Sequence, residues 1–420
     1  MRAGRGTTSR TARPLVDDVA FIVLLGALTT LPPLSVDVSL PGLPVIARAL
    51  GASGATMQHS LSLFVFAFGA GQLVVGPLSD RYGRRPVLLV GLAVFTLAGI
   101  ACTFAANGAA LIAARFVQGL GACAGTMSAR AIVQDVAPSR ERATTLQAYV
   151  SAVTAVAPIV APLLGAVILA LAGWRWLYGA LVLAGLALIA AVALRLPETA
   201  PGSRGSRRAA YARVLRLPRT FPLALFVACA FGGYFTLISG SPFALVTQMH
   251  LASGPYAVAF ALNACALLAG SFTAGRLARR VAAERLFASG VVLLVAASAL
   301  ACAMDAFHPT LAGFVATFAL FAFAFGIANP NAYAAALHDA GPDAGTLAGI
   351  LGAAQMLGGA AVSGIAAALP FPPSAGIGAV VLCAALAAAT AYASSRRRSP
   401  WQREDAGNGT DRRSGPRRGA

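Results

Sequence analysis

Asp37 and Arg115 are single ionisable residues set within long apolar runs, and the stretch GPLSDRYGRRP at 76–86 places Asp80, Arg81, Arg84 and Arg85 between two more. An arginine inside a membrane span costs about 2.5–3.5 kcal/mol on insertion scales, so Arg115 calls for a polar cavity or a partner. Gln118 and Gly119 share its helical face and would support it. Asp37 follows Pro32 and Pro33, which free backbone groups and bend a helix. A carboxyl partly withdrawn from water there can bind and release a proton near physiological pH. With Arg115 close by, a proton and a cationic or polar cargo would each favour a different charge state of one site. In the 76–86 stretch Gly76 lets two helices approach, Gly83 permits a tight turn, and Asp80 can pair with Arg84 or Arg85 across it. This is charge exchange rather than bond making. No catalytic cluster is visible, there is no G-x-x-x-x-G-K-[ST] loop, and the chain has no lysine. The six cysteines lie singly in apolar runs without metal-ligand spacing. The expectation is no enzyme, no metal and no cofactor.

The elements that would position these residues are membrane spans. Of 420 residues 58% are hydrophobic and only 11% charged, against about 25% charged in soluble domains. A hydrocarbon core about 30 Å thick takes about 20 apolar residues per helix. Apolar runs between charged or Pro/Gly breaks place twelve spans near 17–37, 58–78, 87–105, 110–133, 145–170, 174–194, 221–245, 255–275, 286–304, 309–333, 345–368 and 374–394. The runs lack the alternation of barrel strands, so the spans are read as helices. The net charge of +18 would suit a nucleic-acid binder, but the distribution excludes one. Twenty-nine of the 32 basic residues fall on one side of these spans, with only Arg48 and Arg175 opposite and Arg115 inside. That asymmetry predicts both termini in the cytoplasm. The N-terminal apolar stretch exceeds signal-peptide length and reads as an uncleaved first helix.

The break at 196–220 divides the spans six and six. AGRLARR at 274–280, after span eight, is a worn copy of the motif after span two, keeping Gly275, Arg279 and Arg280 without an aspartate. This organisation predicts an N-terminal tail (1–16), a six-helix bundle (17–195), a cytoplasmic linker (196–220), a second six-helix bundle (221–394) and a disordered basic tail (395–420).

G-x-L-x-D-R-x-G-R-R between spans two and three resembles the signature loop of the major facilitator superfamily, complete here as Gly76, Leu78, Asp80, Arg81, Gly83, Arg84 and Arg85. The resemblance narrows to the twelve-span drug:proton antiporters of the bicyclomycin/chloramphenicol-resistance (Bcr/CflA) branch. It is carried by Asp37 with LPGLPVIA, RFVQGLGACAGTMSARAIVQD (115–135), PIVAPLLGAVI (158–168), Trp174-Arg175, GGYFTLISGSPF (232–243), ANPNAYAAAL and AGTLAGILGAAQ. Two departures are Ser39, where that branch usually has an aromatic residue, and Tyr178, where phenylalanine is commoner.

The resemblance implies an all-α major facilitator fold of two six-helix pseudo-repeats in the bacterial inner membrane, working as a monomer. It implies export of small amphipathic drugs in exchange for protons, driven by the proton gradient. It assigns Arg115 to coupling and makes Asp135 an acid that pairs with the signature arginines as a cytoplasmic gate. Pro158, Pro162 and Gly165 lie at i, i+4 and i+7 of span five and suit a tight seal against the other half. In the superfamily that motif accompanies antiporters rather than uptake symporters. Tyr149, Tyr234, Ser239, Asn263, Asn331 and Gln355 lie within spans and are cavity candidates. Export of a cell metabolite such as an amino acid or sugar is the alternative cargo, and a membrane-embedded enzyme or sensor the alternative class.

Overall fold

Twelve helices long and apolar enough to cross a membrane organise the chain, and no strand occurs among the described residues. The computed structural model describes residues 18–199, 207–307, 310–340, 344–369 and 373–397. The tail expected at 1–16 lies outside them, as does the tail expected at 395–420 from residue 398 on; residues 395–397 instead continue the last helix. In chain order the helices are α1 (Val19–Asp37), α2 (Leu43–Ala49), α3 (Gly54–Tyr82), α4 (Arg84–Thr103), α5 (Gly108–Val136), α6 (Arg140–Ala172) and α7 (Arg175–Arg195). They continue as α8 (Arg207–Leu215), α9 (Thr220–Pro242), α10 (Ser253–Leu277), α11 (Ala283–Phe307), α12 (Leu311–Ala340), α13 (Ala344–Ala368) and α14 (Pro373–Arg397). Helices α1 to α7 pack mainly on one another, as do α9 to α14, and the contacts α3 with α13 and α6 with α10 join the two sets.

Three local results differ from expectation. Span one does not end at Asp37: a 3₁₀ turn at Leu40–Gly42 leads into α2, so the span runs from Val19 to Ala49 with Asp37 inside it. Pro41 and Pro44 are the second residues of those two elements, within the first turn, where a missing N–H costs nothing. The signature stretch is almost entirely helical. Asp80 and Arg81 close α3, Arg84 opens α4, and Gly83 alone joins them at φ 100°, a conformation disfavoured for residues with a Cβ. The 196–220 break contains α8, whose sequence RRAAYARVL is rich in good helix formers. Thr220 Oγ1 donates to the Val214 carbonyl at 2.8 Å, fixing α8 to the start of α9. Residues 200–206 of that break lie outside the described residues.

Packing between spans depends on backbone contact. Hydrocarbon tails solvate leucine as well as another helix does, so spans associate through close fit at small residues. Gly119 of α5 lies directly on the Phe64 carbonyl of α3, Gly270 of α10 on the Phe323 carbonyl of α12, and Gly358 of α13 on the Ala228 carbonyl of α9. In α6, continuous through Pro158 and Pro162, Gly165 lies against the Val38 carbonyl. That corrects the expectation for this face at Gly165. Its close contact is with the turn after α1 in its own half, because that turn packs between α6 and α10.

Gly165→Ala is expected to lower the melting temperature of the purified protein in detergent by several degrees, since its Cβ would meet backbone that cannot move aside. Gly349→Ala, whose Cβ meets open space in α13, should leave the melting temperature unchanged or raise it slightly.

Candidate functional site

Arg115 sits two turns into α5 and is completely buried. Its Nη1 donates to Ser35 Oγ of α1 at 2.7 Å and to Gln118 Oε1 at 2.9 Å. The guanidinium lies 4.2 Å from the Phe64 ring centre and 5.9 Å from that of Tyr178. It does not reach toward a membrane surface, and its charge is held by two oxygens and two aromatic faces. Nε and Nη2 have no hydrogen-bond partner. Tyr178, one of the two departures noted above, thus lines the arginine, and its own buried hydroxyl is without a partner. Ser39, the other departure, is fully buried and donates to the Val36 carbonyl at 2.7 Å.

Asp37 lies two residues beyond Ser35, about 200° around the helix, and so faces away from Arg115. It is 5% exposed and carries no hydrogen bond or ion pair among the described residues. Tyr234 of α9 and Tyr256 of α10 lie within its electrostatic range. Asn263 Nδ2 donates to Tyr234 Oη at 3.2 Å, and Tyr256 shares a 3.0 Å hydrogen bond with Ser241. Tyr234 stacks against Phe325, with ring centres 5.1 Å apart, and Phe321 lies parallel beyond it. Asp37 therefore belongs to the first six spans but looks into an aromatic, hydroxyl-bearing wall built by the second six. Nearby the two sets touch: Ser253 Oγ donates to the Pro41 carbonyl at 3.4 Å, and Phe243 packs on Gly54.

The other candidates are dispersed. Gln355 accepts from Tyr333 Oη at 3.0 Å, linking α13 to α12. Asn331 is buried, and its amide donates to the Ile327 carbonyl of its own helix at 2.7 Å. Tyr149 is half exposed on α6. Ser239 is bonded to Ser363 at 2.8 Å, and Ser363 in turn to Ser62 of α3 at 3.0 Å, a polar link between the two sets.

At the opposite end of the helices Arg84 joins three spans. Its Nη1 pairs with Asp80 of α3 and its Nε donates to Asp135 of α5 at 2.9 Å. All three side chains are nearly buried. Both bridges connect helices of the first set. Arg85 Nη2 donates to the Ala193 carbonyl at 2.6 Å, while Arg81 is exposed and lies over the Tyr82 ring. Gly76 is buried in α3. Glu198, which sequence reasoning missed, accepts the backbone N–H groups of Arg84 at 2.8 Å and Arg85 at 3.1 Å. It supplies a negative charge at the start of α4, where the unpaired amides and the helix dipole favour one. Its only sequence signal was an acid within the PET stretch after span six. The worn copy in the second half lacks such acids. Arg276, Arg279 and Arg280 there line an open cleft of about 900 Å³ at the end of α10.

The family model of the Major Facilitator Superfamily matches residues 25–363. The chain is 34% identical over 353 residues to the uncharacterized MFS-type transporter YdgK of Bacillus subtilis (strain 168), covering 82% of this chain and 88% of the relative. It is 31% identical over 358 residues to the multidrug resistance protein MdtL of Escherichia coli O9:H4 (strain HS), covering 83% and 90%. Among solved structures, a bacterial homologue of the human lysosomal transporter Spinster, inward-facing and unoccupied, superposes with a TM-score of 0.71 at 17% identity over 93% of this chain and all of that one. A D-xylose–proton symporter superposes with a TM-score of 0.68 at 14% identity, covering 88% and 97%.

Removing Arg84 would leave Asp80 and Asp135 buried beside each other. Arg84→Gln is therefore expected to destabilise the protein by about 3–5 kcal/mol, read as a large fall in melting temperature. Adding Asp80→Asn and Asp135→Asn to it should recover most of that fall.

Proposed function

This chain belongs to the Major Facilitator Superfamily, and from that premise we propose that it is a proton-coupled antiporter of the Bcr/CflA branch that exports small amphipathic compounds by alternating access. The family and the structural neighbours are transporters, which favours this over an embedded enzyme or sensor. The likeness to MdtL favours drugs as cargo. The reading places the chain in the bacterial inner membrane as a monomer, with the Asp80–Arg84–Asp135 end in the cytoplasm, consistent with the excess of arginine on that side.

The observation that carries the proposal is the placement of Asp37. A buried carboxylate without a counter-ion costs free energy that a proton or a cationic cargo would each remove. Asp37 stands where the two sets of spans face each other, so relief of that cost differs between arrangements of the two. Arg115, fixed to Ser35 two residues away, holds the last turn of α1 and so the orientation of Asp37. Rocking of the halves would alter the Tyr234 and Tyr256 environment of the carboxyl without breaking either half. The bridge through Arg84 keeps α3, α4 and α5 moving as one body, and α3 transmits that movement to α13.

The driving force is sufficient. One proton moving down about 100 mV releases about 2.3 kcal/mol, and one pH unit adds about 1.4 kcal/mol. Together these sustain a cargo gradient on the order of several hundredfold.

In a susceptible strain overproducing the protein, a drug panel should show protection that Asp37→Asn and Arg115→Ala abolish. In sealed vesicles, cargo movement should follow an imposed acid gradient and ignore ATP. Protection against nothing, with labelled amino acid or sugar retained in a deletion strain, would reassign the cargo to a metabolite. Full protection by both variants would remove the coupling assignment.

A further inference from the structure

Arg130 stands five residues before Asp135 on α5, about 7.5 Å deeper into the membrane. Its side chain is exposed and makes no hydrogen bond or ion pair among the described residues. That exposure is not to lipid. The outward stripe of α5 carries Ala113, Val117 and Leu120, and Arg130 lies about 100° of helix rotation from it. Its guanidinium is instead within electrostatic range of Tyr333 on α12, in the opposite half. Solvent thus reaches the interior of α5 at Arg130, whereas Gln118 and Arg115 on the same helix are fully buried.

Three further groups converge there. Tyr333 Oη donates to Gln355 Oε1 at 3.0 Å. A Cβ on Gly352 would lie 3.1 Å from Gln72 Oε1 and 4.0 Å from Tyr333 Oη, which brings α3, α12 and α13 together at one point. Gln72 is 5% exposed, and its Oε1 is buried with no hydrogen-bond partner. A free cation on α5 and an unsatisfied amide oxygen on α3, both in the first half, therefore border the same Tyr333 hydroxyl and Gly352 of the second half. Of the acids at this end, Asp80 and Asp135 are engaged by Arg84, Glu198 accepts the backbone N–H groups of Arg84 and Arg85, and Glu141 is exposed at the start of α6.

We infer that Arg130, Tyr333 and Gln72 form a cargo subsite for a small amphipathic compound bearing a carboxylate next to a hydrogen-bond donor. The guanidinium would take the carboxylate through paired N–H groups, and Gln72 Oε1 would accept the neighbouring N–H or O–H of the cargo. Gly352 leaves the space, since any side chain there would press on the Gln72 amide. This deepens the export reading and rests on it for the identity of the bound molecule as cargo.

The full-length protein in phosphatidylcholine nanodiscs is titrated with dansylglycine and with its uncharged counterpart dansylglycinamide, followed by dansyl fluorescence. The acid is expected to bind about tenfold more tightly, as one charge-assisted pair allows. Arg130→Gln should reduce the acid to the affinity of the amide, with Arg130→Lys restoring part of the difference, and both variants should melt as the native protein does. Equal affinities, binding of neither probe, or a preference indifferent to Arg130→Gln would overturn the subsite. Titration repeated in phosphatidylglycerol nanodiscs separates cargo from lipid: displacement of dansylglycine by that lipid, lost in Arg130→Gln, would assign the position to an anionic headgroup and overturn the cargo reading. Because no gradient is imposed, loss of acid preference with drug protection intact removes the subsite alone. Preference retained without gradient-driven movement removes the coupling alone.

Discussion

A positive charge inside a membrane must be held by something other than lipid, and three arginines of this chain meet that demand in three ways. Arg84 is neutralised by two carboxylates, Asp80 and Asp135. Arg115 has no carboxylate and is held by Ser35, Gln118 and the Phe64 ring. Arg130 has neither, and faces the solvent-accessible interior. The three solutions correspond to three mechanical situations: a fixed joint between helices, a buried positioning contact and an open surface. Most of what distinguishes the ends of this molecule follows from which solution each position uses.

Around these charges the helices are held by contact between backbones rather than by interlocking large side chains. Gly119, Gly165, Gly270 and Gly358 each bring a helix onto a carbonyl of its neighbour. Such contacts stiffen each set of spans, because no flexible side chain lies between the two backbones to absorb a shift. To one such approach, Gly69 of α3 against the backbone of α13, the interface between the sets adds the hydroxyls of Ser62, Ser239 and Ser363 and rings such as Phe243. Halves stiffened in this way would suit the rocking proposed above.

The two halves are not equivalent despite their repeat. The first carries the ionisable residues Asp37, Arg84, Arg115, Arg130 and Asp135, and the second contributes the tyrosines and the phenylalanine stack that Asp37 and Arg130 face. A charge on one wall with hydroxyls and aromatic faces on the other lets a modest relative movement change the electrostatic surroundings of the charge. Two mirrored charged walls would either repel or lock together.

Sequence alone determined the number of spans, their helical nature and the charged joint at 76–86, because lipid thickness, hydropathy and the types Gly, Asp and Arg are local properties of the chain. It also marked Asp37 and Arg115, since an ionisable residue in an apolar run is conspicuous. It could not decide whom each charge meets. Whether Arg115 lies close to Asp37 was not legible in the chain: Arg115 bonds Ser35, and Ser35 and Asp37, two residues apart, turn to different sides of α1. Glu198 and Gln72 acquire their roles only through neighbours more than a hundred residues away. Arg130 counted in the sequence as one more marker of sidedness. Only the tertiary placement of α5, which sets helix rotation and depth together and brings Arg130 within electrostatic range of Tyr333 on α12, decided that it faces inward.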